Sequence, residues 1–420
     1  MTGNAPVDGT RPGSALRTNA AFRRLWAARS ISAFGDSLGL VALIVYVVDT
    51  AGEAFTVAAL LLVGEFIPSL LGPFSGALSD RFDRRRIMIL SELVQAVAVL
   101  LIAITLPPMP MLLMLVAVRA VASQVLQPAA RSVIPILVPD RHLESANSAI
   151  GFGANGMEAI GPFVAASLIE VIGIRAVLLI DVATFLVSAA LLARLRPLPP
   201  ADVKDGQRPR LVVEVVTGLR FMASAPLIRA VTLGFVAVVM CNGVDDVALL
   251  FLVRDSFHAN TSTTGYLYGA VGVGLLAGYL ILGRRGTRTP TIVLFLLGCA
   301  VSSLGNLLTG LAWTLAAAFT LQLLRGVGLS AMDIGVNTLV QRQVPAAMTG
   351  RVFGTLYGAV GAAAAISYLA GAALLETTGP RVTFIVAGSV GLLCTITAAA
   401  VIRRHPPTPS VAALRETPSL

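Results

Sequence analysis

The most constraining feature of this 420-residue sequence is a series of apolar runs, each about 20 residues long, that recurs from end to end. A helix of about 20 apolar residues is long enough to cross the hydrocarbon core of a lipid bilayer. Hydrophobic residues make up 56% of the chain and charged residues 13%, whereas soluble domains are about 45–50% apolar and about 25% charged. The sequence therefore predicts an all-α, polytopic integral membrane protein and excludes a soluble fold.

Breaks rich in Pro, Gly and charged residues divide the apolar runs into twelve predicted spans. An even number of spans places both termini on the same side of the membrane. We number the spans 1 to 12 in chain order, over residues 29–48, 55–77, 87–106, 109–130, 146–169, 175–193, 227–252, 262–283, 290–310, 313–338, 349–375 and 381–402.

The basic residues between the spans predict on which side of the membrane the two termini lie. Most of the 31 Lys and Arg residues fall in segments on the same side as the N-terminus, and only Arg175, Arg254 and Arg381 fall in segments on the other side. Because cytoplasmic loops carry the excess of Lys and Arg, we expect both termini to be cytoplasmic and the protein to be a multi-pass protein of the plasma membrane. The net charge of +9 is explained by these loops, so we expect no nucleic-acid partner.

The chain divides into two halves of six spans. The longest polar interruption, residues 194–226, predicts a cytoplasmic linker between them. When the sequence is compared with itself at an offset of 206 residues, five landmarks coincide, among them Arg119 with Arg325 and Gly173 with Gly379. We therefore expect two six-helix repeats with a binding site at their interface. The predicted regions are a cytoplasmic tail 1–28, a first half 29–193, the linker 194–226, a second half 227–402 and a cytoplasmic tail 403–420.

The segment GALSDRFDRRR between spans 2 and 3 resembles the loop signature of the major facilitator superfamily. Asp83 stands where the signature has its second glycine. The resemblance implies that Asp80 contacts the start of span 11, at Gly350 and Arg351, and locks the cytoplasmic side shut. The arginines alone could form a plain positive-inside loop, but an aspartate at this spacing favours a cytoplasmic gate. The residues that match the signature are Gly76, Leu78, Asp80, Arg81, Arg84 and Arg85.

Three further segments extend the resemblance over nearly the whole chain. FRRLWAARSISAFGDS enters span 1, PAARSVIPILVPDRHLESANS follows span 4, and GLRFMASAPLIRA enters span 7. Together they are similar to the twelve-span drug:proton antiporter branch, which includes siderophore exporters and macrolide efflux proteins. The equivalent loop of the second half, GYLILGRRGTRTP, keeps the basic residues and lacks the aspartate, which predicts a one-sided lock.

Charged residues inside spans are costly, so each is a candidate for function. Arg119 in span 4 lies where the family commonly carries an arginine linked to proton coupling, and Arg325 is its repeat partner in span 10; both could instead be structural. No His lies in a span, so a carboxylate must carry any coupled proton. The acids that we consider within spans are Asp36, Glu65, Glu92, Glu158, Asp245, Asp246 and Asp333.

Three of these acids, Asp36, Glu65 and Glu158, are predicted to lie nearest the membrane midplane. We expect Asp36 and Glu158 to serve proton coupling or a cationic substrate, with Glu65 next. A fixed ion pair with Arg119 would explain an acid equally well. Asp333 lies nearer the cytoplasmic end and is expected, with Arg351, to belong to the gate.

Span 5 contains GFGANGMEAIGP, whose glycines match a dinucleotide-binding fingerprint by accident, because no strand precedes them. We interpret Gly156, Gly161 and Pro162 as helix-packing residues. The stretch partly resembles the span 5 motif of exporters, with one glycine displaced by a residue, which weakens the inference of export.

The leading hypothesis is a secondary active transporter that exports a small amphipathic molecule, such as a drug, siderophore or secondary metabolite, in exchange for protons. Uptake or lipid transport by the same fold, and a non-transporting membrane sensor, are the alternatives. The sequence shows no metal-type clustering of His or Cys and no catalytic motif, so we expect no cofactor, no metal and no enzyme activity. The expected partners are a small-molecule substrate, protons and the lipid bilayer, and the expected state is a monomer.

Overall fold

The fold is described by a computed structural model over residues 16, 19–51, 59–60, 62–199, 210–243, 245–259, 261–285 and 289–404. Within these ranges the side chains of residues 51, 65, 245–247, 261–264 and 285 are not described. The regular structure of the described chain is helical, and helical segments correspond to each of the twelve predicted spans.

The first half forms spans 1 to 6. Span 2 begins as a π-helix and turns at Leu71, and spans 5 and 6 form one helix that breaks at Gly173. The helices are Ala20–Ala51 for span 1, Leu62–Phe66, Ile67–Leu70 and Gly72–Arg81 for span 2, Arg84–Thr105 for span 3, Met109–Leu137 for span 4, and Leu143–Ala193 for spans 5 and 6.

The second half forms spans 7 to 12. A helix over Leu211–Ser224 precedes span 7 and meets it at an angle of 94°. The helices are Pro226–Asn242, Asp245–Phe251 and the π-helix Leu252–Ser256 for span 7, Thr261–Arg285 for span 8, Thr291–Leu311 for span 9, Leu315–Gln343 for span 10, Thr349–Thr378 for span 11 and Pro380–Arg404 for span 12.

Among the described residues, nine helices are long and apolar enough to cross a membrane, or ten if the bent pair before span 7 counts as one. One of the nine contains both span 5 and span 6, and spans 2 and 7 are divided into shorter helices. The nine helices and these two divided spans therefore account for twelve crossings.

The two halves repeat each other in backbone detail. Span 4 begins at Met109 and ends at Leu137, and span 10 begins at Leu315 and ends at Gln343, which is a shift of 206 residues at both ends. Gly173 and Gly379 share a φ of 79°, a conformation that side-chain-bearing residues rarely adopt. The sequence landmarks therefore correspond to the same structural positions.

The halves meet through glycine-lined helix contacts near the loop Ser79–Arg86. Span 2 packs against span 11, where a methyl group at position 76 would overlap the carbonyl oxygen of Gly350 and lie 2.7 Å from the Cα of Arg351. Span 5 likewise packs against spans 8 and 10. We call this end of the bundle the arginine-rich end.

Two predicted boundaries differ from the structure. Span 1 begins at Ala20 rather than at residue 29, so nine residues assigned to the tail 1–28 belong to the first helix. The linker 194–226 contains the helix Leu211–Ser224, which packs on spans 2 and 11, with Gly218 against the side chain of Arg351. Its buried face includes Glu214, Val215 and Met222 at helical spacing, which explains why a polar segment still forms a packed helix.

Candidate functional site

A cavity of about 800 Å³ lies between the two halves. Spans 1, 2, 4 and 5 line it from the first half, and spans 7, 8 and 10 line it from the second. Its wall combines apolar side chains, such as Leu40, Phe235 and Leu275, with charged ones. This volume is in the range that holds a drug-sized ligand.

Asp36 and Arg119 form an ion pair on the wall of this cavity. This is the ion pair with Arg119 that the sequence analysis considered as an alternative to proton coupling. The guanidinium of Arg119 in span 4 donates to the carboxylate of Asp36 in span 1. The side chain of Asp36 is 31% exposed and that of Arg119 is 14% exposed, so the acid is accessible from the cavity. Asp36 can therefore pair with a cationic ligand from the cavity if Arg119 changes partner.

Glu158 in span 5 also lines the cavity, near the Asp36–Arg119 pair. The hydroxyl of Ser37 donates to the backbone oxygen of Glu158 at 3.3 Å, which ties span 5 to span 1 next to Asp36. The third acid predicted for the cavity, Glu65, lies in the π-helix of span 2, and its side chain is outside the described part of the structure.

Sequence reasoning missed Asp181 and gave no role in the site to Glu92 or Arg29. Asp181 in span 6 and Glu92 in span 3 are both 0% exposed, and Arg29 of span 1 lines the cavity. Glu92 accepts hydrogen bonds from Ser32 at 3.2 Å and Ser188 at 2.7 Å. Asp181 falls inside the predicted span 175–193, so a complete search of the spans for acids would have found it.

The floor of the cavity is a polar network centred on Asp333 of span 10. Asp333 accepts hydrogen bonds from Tyr279 at 2.9 Å, Tyr357 at 3.2 Å and Asn337 at 2.8 Å. All four residues belong to the second half. Asp333 therefore orders the surface that faces the first half, and the structure places it on the cavity wall rather than in the contact of Asp80 with Gly350 and Arg351.

Arg131 of span 4 crosses from the first half to this floor. Its guanidinium donates to Asn337 and stacks on the ring of Tyr357 at 4.0 Å. Arg131 and Asn337 are separated by 206 residues, so they occupy equivalent positions of the two repeats. The contact therefore lies where the repeats face each other, a placement that no pattern in either repeat alone could indicate.

The arginine-rich end is closed by Asp80. The backbone N–H groups of Gly350 and Arg351 donate to its carboxylate at 2.8 and 3.0 Å, and Arg84 lies 3.4 Å away. Burial raises the pKa of Asp80 to about 6, and the two amides and the arginines Arg84 and Arg351 oppose that rise. The carboxyl is therefore mainly ionised at neutral pH.

The other arginines of the loop brace this contact. Arg84 also donates to the carbonyl of Ala346 at 2.9 Å, across the halves. Arg85 donates to the carbonyls of Leu192 and Ala193 at the end of span 6. Asp83 accepts from the N–H groups of Arg86 and Leu198 and thereby caps span 3. The substitution of Asp for the second glycine of the signature thus has a structural use.

A second ion-pair cluster closes the opposite side of the same end, so the prediction of a one-sided lock is wrong. Arg342 at the end of span 10 contacts Asp140 at 3.0 Å and Glu144 at 3.1 Å, both next to span 5. Glu144 also accepts from Thr291 of span 9 at 2.8 Å. The acids come from the first half rather than from the loop between spans 8 and 9, which is why the loop comparison missed them.

Arg325 lies outside the cavity wall, unlike its repeat partner Arg119. It is 6% exposed, donates to Gln322 at 3.2 Å and packs against Gly305 of span 9. The structure thus places Arg325 within the second half, where it is not in a position to contact a cavity ligand.

The predicted packing residues of span 5 differ from one another. A methyl group at Gly161 would overlap the side chain of Ser37, whereas one at Gly156 would sit in ordinary contact 3.5 Å from Leu276. Pro162 lines the cavity within the continuous helix. Of these two glycines, only Gly161 occupies a position that excludes a side chain.

Comparisons with known proteins agree on one family. The family model described as Major Facilitator Superfamily matches residues 25–366 and 248–419. An MFS-type transporter, YfiS of Bacillus subtilis strain 168, is 28% identical over 389 residues, which cover 89% of this chain and 91% of that protein. Macrolide efflux protein A of Streptococcus pyogenes is 24% identical over 380 residues, covering 89% of this chain and 93% of that protein.

The fold is also shared with solved structures. A bacterial homologue of the iron transporter ferroportin, in an outward-facing state, superposes with a TM-score of 0.77 at 18% identity, over 91% of this chain and 100% of that one. The family model, the relatives and the twelve-helix fold lead to one conclusion: the chain belongs to the major facilitator superfamily.

Proposed function

We propose that this transporter exports a small amphipathic molecule in exchange for protons. The observation that carries the proposal is the Asp36–Arg119 pair on the wall of a cavity between the halves, among acids where binding of a cationic ligand and binding of a proton would exclude each other. Alternating access would arise from rocking of the two halves around this cavity.

The excess of basic residues at the arginine-rich end supports a cytoplasmic location for that end and for both termini, in the plasma membrane. With this orientation, the contacts of Asp80 and Arg342 close the cytoplasmic side, and the described conformation faces outward or is occluded. Protons from outside would then reach the acids of the cavity before the halves rock inward.

The cavity favours an amphipathic organic cation as the substrate. Its apolar wall suits a hydrophobic body, and its acids Asp36 and Glu158 suit an amine. The relative named macrolide efflux protein A points in the same direction, since macrolides of the erythromycin type combine a large apolar ring with a basic amine. We therefore choose erythromycin and the permanent cation tetraphenylphosphonium as probes.

The test uses everted membrane vesicles whose lumen is acidified by respiration and monitored with a pH-sensitive dye. Export-type antiport predicts that adding either probe alkalinises the lumen, because each probe molecule that enters the lumen exchanges for protons. Asp36→Asn and Glu158→Gln should abolish or reduce this response. The matched controls Asp49→Asn and Glu170→Gln change exposed acids near the ends of the same helices and should respond as the unmodified protein does.

Three outcomes would redirect the proposal. Accumulation of a probe in whole cells with an intact proton gradient would favour uptake. Binding without flux in reconstituted vesicles would favour a sensor. Silence toward both probes in correctly inserted protein would reject amphipathic cations of this type as the substrate. We further propose that the protein acts as a monomer whose partners are protons, its substrate and the lipid bilayer. We propose that it binds no nucleic acid and catalyses no chemical reaction.

A further inference from the structure

Asp181 is a buried acid that the proposed transport cycle has not yet used. It lies in span 6 and is 0% exposed, and no described residue donates a hydrogen bond to either carboxylate oxygen. The hydroxyl of Thr184 is adjacent, but its single proton is donated to the backbone oxygen of Asp181 at 2.7 Å. An ionised carboxylate without hydrogen bonds in such a position is strongly disfavoured. The side chain is therefore best accommodated as the neutral acid.

A notch in span 1 holds this carboxyl next to the cavity pair. One oxygen would lie 2.6 Å from a methyl group at Gly35, and the other would overlap one at Gly39. These two glycines flank Asp36 on the same helix. Because glycines have no side chain at these two positions, the carboxyl of Asp181 can lie against the backbone that carries Asp36.

The fold itself does not need an acid at this position. The repeat offset places Ala387 of span 12 at the position equivalent to Asp181, and Ala387 is also buried. A methyl group therefore satisfies the same packing in the second half. At this pair of positions the acid occurs in the first half alone, where Asp36 and Arg119 also lie.

The acids at and behind the cavity wall outnumber the arginines beside them. Arg119 pairs with Asp36, and among the nearby acids Arg29 interacts most strongly with Glu92. The charged groups that act on Asp181 are Arg119, the strongest, then Asp36 and Glu92. Glu158 faces Arg29 from span 5. Arg119 and Arg29 thus neutralise two of these four acids, and Asp181 has no arginine of its own unless Arg119 leaves Asp36.

We propose that Asp36 and Asp181 share the guanidinium of Arg119, so that Asp181 carries the exchanged proton. In the empty cavity, Arg119 pairs with Asp36, and Asp181 holds the proton on one carboxyl oxygen. A monovalent cationic substrate pairs with Asp36, Arg119 moves to Asp181, and the Asp181 O–H bond breaks and releases its proton to cavity water. The three side chains and the ligand have zero net charge in both arrangements, so one proton exchanges for one cation. This inference rests on the proposed function and assigns its proton to a specific group.

The experiment reads the proton directly and does not depend on transport. Infrared spectra of the purified protein in lipid at pH 7 report the C=O stretching band of a protonated carboxyl, which shifts in D₂O. We expect the band in the unmodified protein and its loss in Asp181→Asn. We also expect its loss in Asp36→Asn, because Arg119 would then pair with Asp181 and ionise it. Asp181→Ala introduces the residue found at the equivalent position of the second half and should also lack the band, while an unfolding midpoint near that of the unmodified protein shows that the loss does not reflect misfolding.

Three spectroscopic results would overturn the proposal. Spectra of the unmodified protein and Asp181→Asn that coincide would mean that Asp181 carries no proton. A band that survives Asp181→Asn and disappears in Glu92→Gln would place the proton on Glu92. A band that persists in Asp36→Asn would show that Arg119 does not move to Asp181.

A second measurement separates this inference from the proposed function. Addition of tetraphenylphosphonium, which has no proton of its own, should release protons from the unmodified protein in weakly buffered solution, and Asp181→Asn should abolish the release. Failure of the unmodified protein to release protons, together with the expected infrared bands, would reject the proposed substrate class and leave the shared guanidinium in place.

Discussion

Replacing Asp80 by asparagine should open the arginine-rich end. Its carboxylate accepts two backbone N–H groups, at 2.8 and 3.0 Å, and lies 3.6 Å from the guanidinium of Arg351. Asparagine offers one acceptor oxygen and turns an NH₂ donor toward the second N–H, so one charge-assisted hydrogen bond is lost. Such a bond contributes about 1.5–3 kcal/mol. A loss of about 2–3 kcal/mol would change the ratio of closed to open protein by roughly 30- to 150-fold.

The opening can be measured at Ser148, which is 3% exposed and packs against Gly283 of the other half. Ser148→Cys, in a protein whose natural cysteines Cys241, Cys299 and Cys394 are replaced by alanine, reacts with a membrane-impermeant maleimide only when this contact opens. We expect the labelling rate in everted vesicles to rise by the same roughly 30- to 150-fold in the Asp80→Asn background, up to the limit of full opening.

The matched control is Asp83→Asn in the same loop. Asp83 caps span 3 and accepts from the N–H of Leu198 in the linker, so neither contact reaches the second half. The Asp83→Asn variant therefore loses comparable hydrogen bonds without changing the contact between the halves. Its Ser148→Cys labelling rate should stay near that of the protein with Asp83 intact. Equal labelling of the Asp80 and Asp83 variants would refute the argument that Asp80 holds this end closed. We also expect Asp80→Asn to slow transport turnover more than it weakens substrate binding, because its proposed role is conformational.

Two other changes test the same end of the molecule. Gly76→Ala should favour the open state and raise Ser148→Cys labelling, because its methyl group overlaps the carbonyl oxygen of Gly350. Gly156→Ala should leave labelling unchanged, since its methyl group meets only ordinary contacts. Equal labelling of the two variants would contradict the proposed role of Gly76 in helix contact. Arg342→Gln leaves the buried Glu144 without its cation and should lower the thermal unfolding midpoint and raise labelling. The double variant Arg342→Gln/Glu144→Gln should recover part of the lost stability, and no recovery would show that the pair itself contributes little.

The sequence predicted the positions of the membrane spans well because the relevant physics is local. Each span must satisfy its own backbone hydrogen bonds in lipid, so length and hydropathy alone indicate where helices cross. The repeat landmarks were equally local, since Gly173 and Gly379 need the same positive φ. The contact of Asp80 with Gly350 and Arg351 followed from a family resemblance rather than from spacing, and the structure shows the corresponding hydrogen bonds.

The candidate site was predicted less completely. Asp36, Glu158 and Arg119 do line one cavity, but Arg325 faces the interior of its own half although it is the repeat partner of Arg119. The pairing of Arg131 with Asn337 joins two segments more than 200 residues apart. Depth along a span can be estimated from sequence, whereas the direction in which a side chain points depends on how each helix is rotated against its neighbours.

The sequence by itself determined that this chain crosses the membrane repeatedly, that its halves are duplicates and that its basic loops share one side. Hydrophobicity, backbone satisfaction and charge asymmetry act segment by segment, so each of these properties can be read without knowing what a segment touches. Only the tertiary structure decided which charges meet. The pairing of Asp36 with Arg119, the isolation of Asp181 and the contacts of Arg342 depend on helix rotation and on glycine notches that let particular helices approach. Those contacts convert a set of buried charges into a candidate mechanism.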